Sequence, residues 1–265
     1  MKFQSTSSPR ASVPLIGTWL SIGSPVIAEL AAVSGFDWLL FDLEHGAASD
    51  AALMGSLQAI RGTPAKAIVR VGALHTDLIM RALDWGSAGI MMPHVESATQ
   101  AQQCLQAIHY SPRGRRGFSR SVRAYDYGLR SPADLPVPLF FAQIESIRGV
   151  EEASRIAATE GVDVLFVGPS DLAHDLSVRG NSHTPPYEEC LQRVVAAAKD
   201  AGKQPGILVR KMDELPELTA MGFTHVAIES DLGILRSGYQ TILARTREVA
   251  PAGASVAAMV NRQTS

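Results

Sequence analysis

The chain alternates between short apolar runs and longer amphipathic segments rich in alanine. Each run of Val, Ile, Leu and Phe has the length of one β-strand, and a polar or Gly-containing break separates it from the next helix-like segment. The repetition predicts eight strands, at 15–20, 38–43, 66–71, 89–95, 139–144, 163–168, 205–210 and 225–230. It predicts helices at 25–34, 50–60, 76–85, 97–109, 149–160, 187–201, 213–220 and 233–248.

The strand sequences indicate a parallel sheet, because they are apolar on both faces. Eight βα units in about 250 residues is the number that a closed (β/α)8 TIM barrel contains. An open doubly wound sheet is the structural alternative. The chain has neither G-x-G-x-x-G after its first strand nor G-x-x-x-x-G-K-[ST], which argues against a dinucleotide or nucleoside triphosphate site.

Length and composition favour one soluble domain, with a division into two domains as the alternative. With 265 residues, of which 46% are hydrophobic, the chain can bury a single large core. We expect a flexible lead at 1–13, the barrel at 14–250 and a tail at 251–265. The apolar runs are too short for a membrane span, and a net charge of -2 favours neither nucleic acid nor an anionic membrane as partner. The Ser-rich start lacks the apolar core of a signal peptide, so a cytoplasmic location is the default expectation.

Polar residues at the carboxyl ends of the strands are the candidates for chemistry, because barrels of this kind place their active sites there. They are Asp42, Glu44 and His45 after strand two, Arg70 at strand three, His94 after strand four, Gln143 and Glu145 at strand five, and Ser170 and Asp171 after strand six. We interpret His94 and the histidines other than His45 as structural or surface residues.

Glu145 and Asp171 follow neighbouring strands, so their carboxylates can converge near the barrel axis. Two carboxylates brought together repel unless a cation lies between them. A hard divalent cation such as Mg²⁺ or Mn²⁺, with Co²⁺ as a further candidate, suits two carboxylates together with waters and substrate oxygens. The structural alternative is that both residues serve at helix N-termini.

Arg70 has two interpretations at its strand end. It can form a salt bridge to Asp42 or Glu44 across the rim, or its guanidinium can stabilise negative charge that develops on a substrate oxygen. His45 lies three residues after Asp42, close enough for that carboxylate to orient the imidazole as a general base. A lone histidine at a strand end is more often structural.

An ordered series of segments lies between residues 16 and 240. The segments are GTWLSIGSPVIAELAAVSGFDWLLFDLEHG, IVRV, ALDWGSAGIMMPHVESATQA, SPRGRRGFS, QIES, GVDVLFVGPSDLA and GFTHVAIESD. In this order they resemble the HpcH/HpaI class II pyruvate aldolases. The resemblance implies a (β/α)8 barrel whose eighth helix is exchanged between subunits of a homo-oligomer, a hexamer built as a trimer of dimers. It also implies a divalent metal cofactor and, as small-molecule partners, a 2-oxoacid and an aldehyde.

The same resemblance assigns roles to residues that match the family motifs. It makes Glu145 and Asp171 metal ligands and Arg70 the residue that stabilises the pyruvate enolate. Gln143 would contact the oxoacid or a metal-bound water, and Ser170 would bind the oxoacid carboxylate.

The base dyad of the family falls on Asp42 and His45, working with a bound water. Three departures from the family pattern are Val71, where many relatives have Pro, Ser111-Pro112, where many have two prolines, and Glu229, where a small residue is more usual. These departures leave the acceptor aldehyde open.

Three other functions are open to a barrel of this sequence. A Schiff-base aldolase needs a lysine at the catalytic rim, and of the five lysines Lys211 alone follows a strand there. An acyl-CoA lyase of the citrate lyase β or malyl-CoA lyase type could use the segment Arg113 to Arg123 to bind phosphates, although that segment can equally be a solvated basic loop. A binding or scaffolding barrel has no need for convergent charges at its rim.

Overall fold

The computed structural model describes residues 13–134, 136–179 and 181–249. The expected N-terminal lead at 1–13 lies outside the described residues except for Val13, and the expected tail at 251–265 lies wholly outside them.

Eight parallel strands close into a barrel in chain order, with the eighth strand paired to the first. The closed sheet confirms the predicted (β/α)8 barrel and excludes the open sheet. Every predicted strand is present, and the observed ends differ from the predicted ones by three residues or fewer. The strands are β1 Leu15–Leu20, β2 Trp38–Asp42, β3 Lys66–Arg70, β4 Gly89–Met92, β5 Leu139–Ile144, β6 Val164–Val167, β7 Gln204–Val209 and β8 His225–Ser230.

Helices surround the sheet, and none of those described has the length and apolar content needed to cross a bilayer. They are α1 Pro25–Val33, α2 Asp50–Ala59, α3 Thr76–Asp84, α4 Ala98–Ile108, α5 Ile147–Glu151, α6 Ala153–Ala157, α7 Pro169–Arg179, α8 Tyr187–Asp200, α9 Leu215–Met221 and α10 Asp231–Val249. The predicted helix at 149–160 is two short helices, α5 and α6. The pattern gave no signal for α7, because Leu172 is its single buried residue and so no apolar stripe marks it.

The barrel interior is packed with aromatic rings, and two glycines make room for them. A Cβ built at Gly17 would overlap the Trp38 ring, and one built at Gly206 would lie 2.5 Å from the Phe166 ring. The Trp38 and Phe166 rings meet edge to face with centroids 5.9 Å apart. A second, larger apolar layer fills the space between the strands and the helices. The two layers fix the strand ends that carry the polar residues.

Helix α10 is attached to the barrel mainly through its first turn. The buried Asp231 carboxylate accepts hydrogen bonds from the backbone N–H groups of Ser21 and Ile22, which follow β1. Residues 236–248 are all exposed. The helix presents large apolar side chains to solvent, namely Leu232, Ile234, Tyr239, Ile242 and Leu243.

The long segment between α4 and β5 packs at the amino-terminal end of the barrel. Its described residues form two short 3-10 helices and no strand. Arg116 and Arg123 line a cavity together with Lys66, the first residue of β3. This arginine-rich segment therefore lies, within one chain, at the rim opposite the carboxyl ends of the strands.

Candidate active site

A cavity of about 380 Å³ opens at the carboxyl ends of the strands. Of the seven residues to which the family resemblance assigns a role, six line it, namely Asp42, His45, Arg70, Gln143, Ser170 and Asp171. The seventh, Glu145, is buried and contacts Gln143. The fold therefore brings all seven side chains to one end of the barrel.

Arg70 is held by two carboxylates, one at the end of the neighbouring strand β2 and one two residues beyond it. Its Nε and Nη2 donate to the two oxygens of Asp42 at 2.9 and 2.8 Å, and its Nη1 lies 2.8 Å from Glu44 Oε2. The guanidinium also lies over the Trp19 ring, 5.2 Å from the centroid. Because Asp42 and Arg70 are register partners in β2 and β3, the pairing follows from the sheet itself. The salt bridge that the sequence left open is present, with both carboxylates.

The charge state of Asp42 is set by opposing effects. Burial would raise the pKa of this carboxyl group, but the hydrogen bond and positive charge of Arg70, with help from two backbone N–H groups, lower its pKa overall. Asp42 is therefore a fixed anion that balances the buried guanidinium.

His45 departs from the expected dyad geometry. The Asp42 carboxylate accepts a hydrogen bond from the backbone N–H of His45 at 3.2 Å, and its other contacts are with Arg70 and the Glu44 backbone. The imidazole Nε2 lies 3.9 Å from Glu44 Oε2, and its side chain is 71% exposed. The expectation that Asp42 orients the imidazole is corrected, because the β2–β3 register directs this carboxylate onto Arg70.

Glu145 is a buried carboxylate fixed at both oxygens. Its Oε1 accepts from the backbone N–H of His94 at 2.7 Å, and its Oε2 accepts from Gln143 Nε2 at 2.5 Å. Burial raises the pKa of Glu145 to about 7; His94 opposes the shift, and the negative charges of Asp171 and Glu44 add to it. A positive charge near this oxygen pair would relieve both the burial and the repulsion.

His94 is a functional candidate that the sequence interpretation missed. It adopts a left-handed backbone conformation, with φ 50, which directs its N–H at Glu145. Its ring Nδ1 lies 3.2 Å from the same carboxylate oxygen. A non-glycine residue at positive φ is uncommon, and strained backbone of this kind clusters at active sites. The signal in the sequence was its position after β4, which is adjacent to the strand that carries Glu145.

Gly168 and the start of α7 form the next part of the wall. A Cβ at Gly168 would overlap Glu145 Oε2 and lie 2.8 Å from Gln143 Nε2, so this position has no room for a side chain. Pro169 begins α7, and Ser170 and Asp171 lie in its first turn. The unpaired N–H groups and the helix dipole at this end favour an anionic group.

The oxygen donors at this point fit a hard divalent cation. They are the Glu145 carboxylate, the Asp171 carboxylate and the buried Oε1 of Gln143, which has no hydrogen-bond partner among the described residues. No cluster of three or more His, Cys, Asp or Glu side chains arranged to hold a metal occurs in the described parts of the chain. Two carboxylates without thiolates suit a cation that keeps waters and takes substrate oxygens, as Mg²⁺ does, rather than a closed zinc site.

Two arginines that the sequence interpretation did not select line the same cavity. Arg210 directly follows β7, and Arg236 lies in the second turn of α10. Neither guanidinium forms an ion pair with any described carboxylate. The cavity therefore has neutralised positive charge at Arg70 and unneutralised positive charge at Arg210 and Arg236.

Comparison with known proteins places this geometry in a family. A sequence profile of the family described as HpcH/HpaI aldolase/citrate lyase matches residues 15–238. The 5-keto-4-deoxy-D-glucarate aldolase of Klebsiella pneumoniae is 38% identical over 237 residues, covering 86% of this chain and 90% of the relative.

Solved structures of other proteins have the same fold as this chain. An HpcH/HpaI aldolase/citrate lyase family protein from Burkholderia cenocepacia superposes with a TM-score of 0.82 at 36% identity, covering 89% of this chain and 95% of that one. The citrate lyase beta subunit of Mycobacterium tuberculosis shares the fold at 20% identity and a TM-score of 0.54, covering 84% of this chain and 94% of that one. From the family profile and the sequence identity, the chain belongs to the HpcH/HpaI aldolase/citrate lyase family of carbon–carbon lyases.

Proposed function

We propose that the protein is a divalent-metal-dependent class II aldolase. It would cleave 4-hydroxy-2-oxoacids reversibly to an aldehyde and pyruvate or a related 2-oxoacid. The observation that carries the proposal is the buried Glu145, placed beside Asp171 and close to a cavity whose wall also carries the fixed guanidinium of Arg70. The name of the Klebsiella relative describes a reaction on a substrate of this chemical kind.

Glu145 and Asp171 would hold the cation, which is Mg²⁺, Mn²⁺ or Co²⁺, with Gln143 beside them. When bound, a cation of this kind acts as a Lewis acid that polarises the keto group of the oxoacid. Gln143 keeps Glu145 in place by donating its Nε2 hydrogen bond, and its own Oε1 is buried without a hydrogen-bond partner in the described chain. That oxygen is suited to an ordered water or to the oxoacid.

Arg70 is arranged to stabilise an oxyanion. An arginine has five N–H donors, and the contacts with Asp42 and Glu44 occupy three of them. The remaining two can donate to the keto oxygen of the oxoacid as negative charge develops on it. Because the two carboxylates already fix the guanidinium plane, little reorganisation is needed when the charge appears.

His45 is our candidate for the base, acting directly or through a water. Its imidazole is exposed at the cavity, with Nε2 3.9 Å from Glu44 Oε2. In the cleavage direction, His45 would accept the proton of the C4 hydroxyl group and the C3–C4 bond would break. The electron pair would pass to the keto oxygen beside Arg70, and protonation at C3 would give the 2-oxoacid. Asp42 would contribute by fixing Arg70.

The oxoacid carboxylate would bind at the start of α7. Ser170 offers a hydroxyl group there, and the unpaired N–H groups of the first helical turn offer further donors. This places the carboxylate near Asp171, where the helix dipole offsets part of the repulsion.

The chemical rivals receive less support. No lysine among the described residues lines the cavity, and Lys211, the candidate for a Schiff base, is exposed outside it. The arginine-rich segment that could bind the phosphates of coenzyme A lines a cavity at the opposite rim with Lys66. The citrate lyase beta subunit shares the fold with this chain, and a shared fold alone does not assign the same reaction.

Helix α10 supports a homo-oligomer. Its exposed apolar side chains, among them Tyr239 and Ile242, are arranged for packing against another protein surface. We propose that this helix exchanges between subunits, as the family resemblance implies, in a hexamer. The cytoplasmic location and the barrel domain boundaries at 14–250 stay predictions.

A panel of 4-hydroxy-2-oxoacids tests the proposal. Chelator-treated protein would be assayed for pyruvate release before and after addition of Mg²⁺, Mn²⁺ or Co²⁺. We expect release to depend on the cation and to be lost in Glu145→Gln. Metal-independent cleavage, together with trapping of a pyruvate adduct by borohydride, would contradict it.

A further inference from the structure

A second cavity of about 380 Å³ lies at the amino-terminal rim of the barrel, and the proposed aldolase chemistry does not use it. No described residue lines both this cavity and the active-site cavity. Lys66, the first residue of β3, lines the second cavity, whereas Arg70, the last residue of β3, lines the first. At about 3.3 Å per residue, roughly 13 Å of strand separates these two residues. We call this second space the opposite-rim cavity.

The charges around the opposite-rim cavity are mostly positive. One acidic side chain, Asp126, is among the described residues that line it, and five basic ones are, namely Arg61, Lys66, Arg116, Arg123 and Arg130. Two of the five are neutralised, because Arg61 pairs with Asp126 at 2.7 Å and Arg116 pairs with Asp84 at 2.5 Å. The other three form no ion pair with a described carboxylate. Unneutralised like charges around one space repel each other and attract an anion.

Arg123 is fixed in place and still has donors to offer. Its Nη1 donates to the backbone carbonyl of Trp85, and its Nη2 donates to that of Leu57 at 2.9 Å. Gly86 leaves room for the guanidinium, since a Cβ there would lie 2.8 Å from Nη1. These contacts occupy two of the five N–H donors of an arginine. Burial and the positive charge of Arg61 lower the pKa of Arg123, and a bound anion would offset both effects.

Two further donors on the same wall have no acceptor. Ser87 Oγ and Arg116 Nε are both buried, and neither has a hydrogen-bond partner among the described residues. Ser87 is 9% exposed, the Arg116 side chain is 5% exposed, and both residues line the cavity. A buried donor without an acceptor is costly. An anion with several oxygens in the adjoining space would supply acceptors to this wall.

The form of the cavity favours a phosphate group that carries a carbon skeleton. Unpaired cations reach the space from different segments, since Lys66 begins β3 and Arg123 begins a 3-10 helix. Such an arrangement suits the three terminal oxygens of a phosphate ester better than the two of a carboxylate, and both lysine and arginine bind phosphate. Leu57, Leu83 and Pro138 add apolar surface to the lining. The volume lies in the range of small-molecule sites, which leaves room beside the phosphate for an organic group.

We propose that the opposite-rim cavity binds a phosphate monoester of a small organic molecule, with the phosphate group at Lys66 and Arg123. This site is separate from the active-site cavity. It does not depend on the proposed aldolase function, so either can fail without the other.

Three probes test the proposal by isothermal titration calorimetry of the full-length protein. Glucose 6-phosphate carries the phosphate ester, glucose lacks the phosphate group, and inorganic phosphate lacks the carbon skeleton. The protein would be treated with a chelator beforehand, so that no divalent cation binds phosphate at the active site. We expect glucose 6-phosphate to bind, inorganic phosphate to bind more weakly, and glucose not to bind.

Variants locate the binding. Lys66→Gln and Arg123→Gln should each weaken glucose 6-phosphate binding roughly tenfold, the usual effect of losing one charge-assisted contact. Lys66 is exposed and has no ion pair, so its variant should unfold in urea like wild type even if Arg123→Gln is less stable.

Lys203→Gln is the matched control, because Lys203 directly precedes β7 as Lys66 begins β3, but does not line the cavity. Arg210→Gln, in the active-site cavity, controls for binding there. Both should keep the wild-type affinity.

No binding of glucose 6-phosphate to the wild type, or equal weakening by Lys66→Gln and Lys203→Gln, would overturn the site. Weakening by Arg210→Gln with wild-type affinity in Lys66→Gln would place the binding in the active-site cavity and overturn it as well. Equal affinities for inorganic phosphate and glucose 6-phosphate would overturn the assignment to an ester.

Discussion

Asp42 and Arg70 form a buried ion pair with two hydrogen bonds, of 2.9 and 2.8 Å, between the ends of adjacent strands. Glu44 adds a third contact to the same guanidinium at 2.8 Å. The carboxylates fix the orientation of the guanidinium and leave two N–H groups unassigned. The pair therefore serves the fold and the proposed chemistry together, so its replacement affects both.

The first prediction separates these two effects at Arg70. Arg70→Ala would leave Asp42 buried without its cation, which typically costs about 3–5 kcal/mol of stability. Arg70→Lys keeps the charge but loses the forked donors, so we expect turnover to fall roughly 10²- to 10³-fold with a smaller loss of stability. Pyruvate release and urea unfolding measure the two quantities. Full turnover in Arg70→Lys would remove the oxyanion role.

The second prediction concerns Gly168. A Cβ at this position would overlap Glu145 Oε2, so Gly168→Ala must displace the carboxylate that we assign to the cation. We expect turnover to fall at least about tenfold and Mn²⁺ to bind more weakly in a calorimetric titration. Gly238→Ala in α10 is the matched control, because a Cβ there meets nothing within 4 Å. Equal Mn²⁺ binding by the two variants would argue against Glu145 as a ligand.

The third prediction concerns acid stability at His225. Burial lowers the pKa of this imidazole to about 4, whereas an unfolded histidine has a pKa of about 6.5. Between these values the unfolded chain binds the additional proton. The stability that depends on neutral His225 is therefore complete above about pH 6.5 and is lost as the pH falls toward 4.

His225→Gln removes this titration. Wild-type protein should lose about 2 kcal/mol of unfolding free energy through His225 between about pH 7.5 and pH 5. Over the same pH interval the variant should lose about 2 kcal/mol less unfolding free energy than wild type, because the other titrating groups are common to both proteins. Urea unfolding at the two pH values gives the comparison, and identical losses in the two proteins would contradict the assignment.

The fourth prediction concerns the barrel interior at Gly17. Because an added Cβ overlaps the Trp38 ring, Gly17→Ala should destabilise the protein by about 1–3 kcal/mol, the usual cost of overpacking a core. Thermal or urea unfolding measures the loss, and tryptophan fluorescence should report the displaced ring. A variant as stable as wild type would show that the ring moves at no cost.

Most of the fold could be predicted from the sequence, because each strand is a short run of buried apolar residues bounded by a break. Helix α7 was missed because it buries Leu172 alone and so carries no periodic signal. Helix α10 begins at Asp231, two residues earlier than predicted. Asp231 joins the helix to the backbone after β1 through hydrogen bonds that span some 210 residues in sequence, and a local pattern does not reveal such contacts.

The convergence of the candidate residues at one rim was predictable from the sequence, whereas their contacts were less so. The residues at strand ends converge because all parallel strands end at the same rim, as Glu145 and Gln143 show. The orientation of the His45 imidazole depends on the β2–β3 register, which pairs Asp42 with Arg70 and not with His45. The contact of the His94 N–H with Glu145 depends on a positive φ at His94, which the residue type alone does not predict.

The central claim is that a divalent cation at Glu145 and Asp171 activates the oxoacid, and exchange of pyruvate C3 protons in heavy water tests it most directly. Chelator-treated wild-type protein should lose exchange and regain it when Mn²⁺ is added, whereas Glu145→Gln and Asp171→Asn should stay inactive at the same Mn²⁺ concentration. Exchange that persists at the wild-type rate after chelation, or in both variants, would contradict the account.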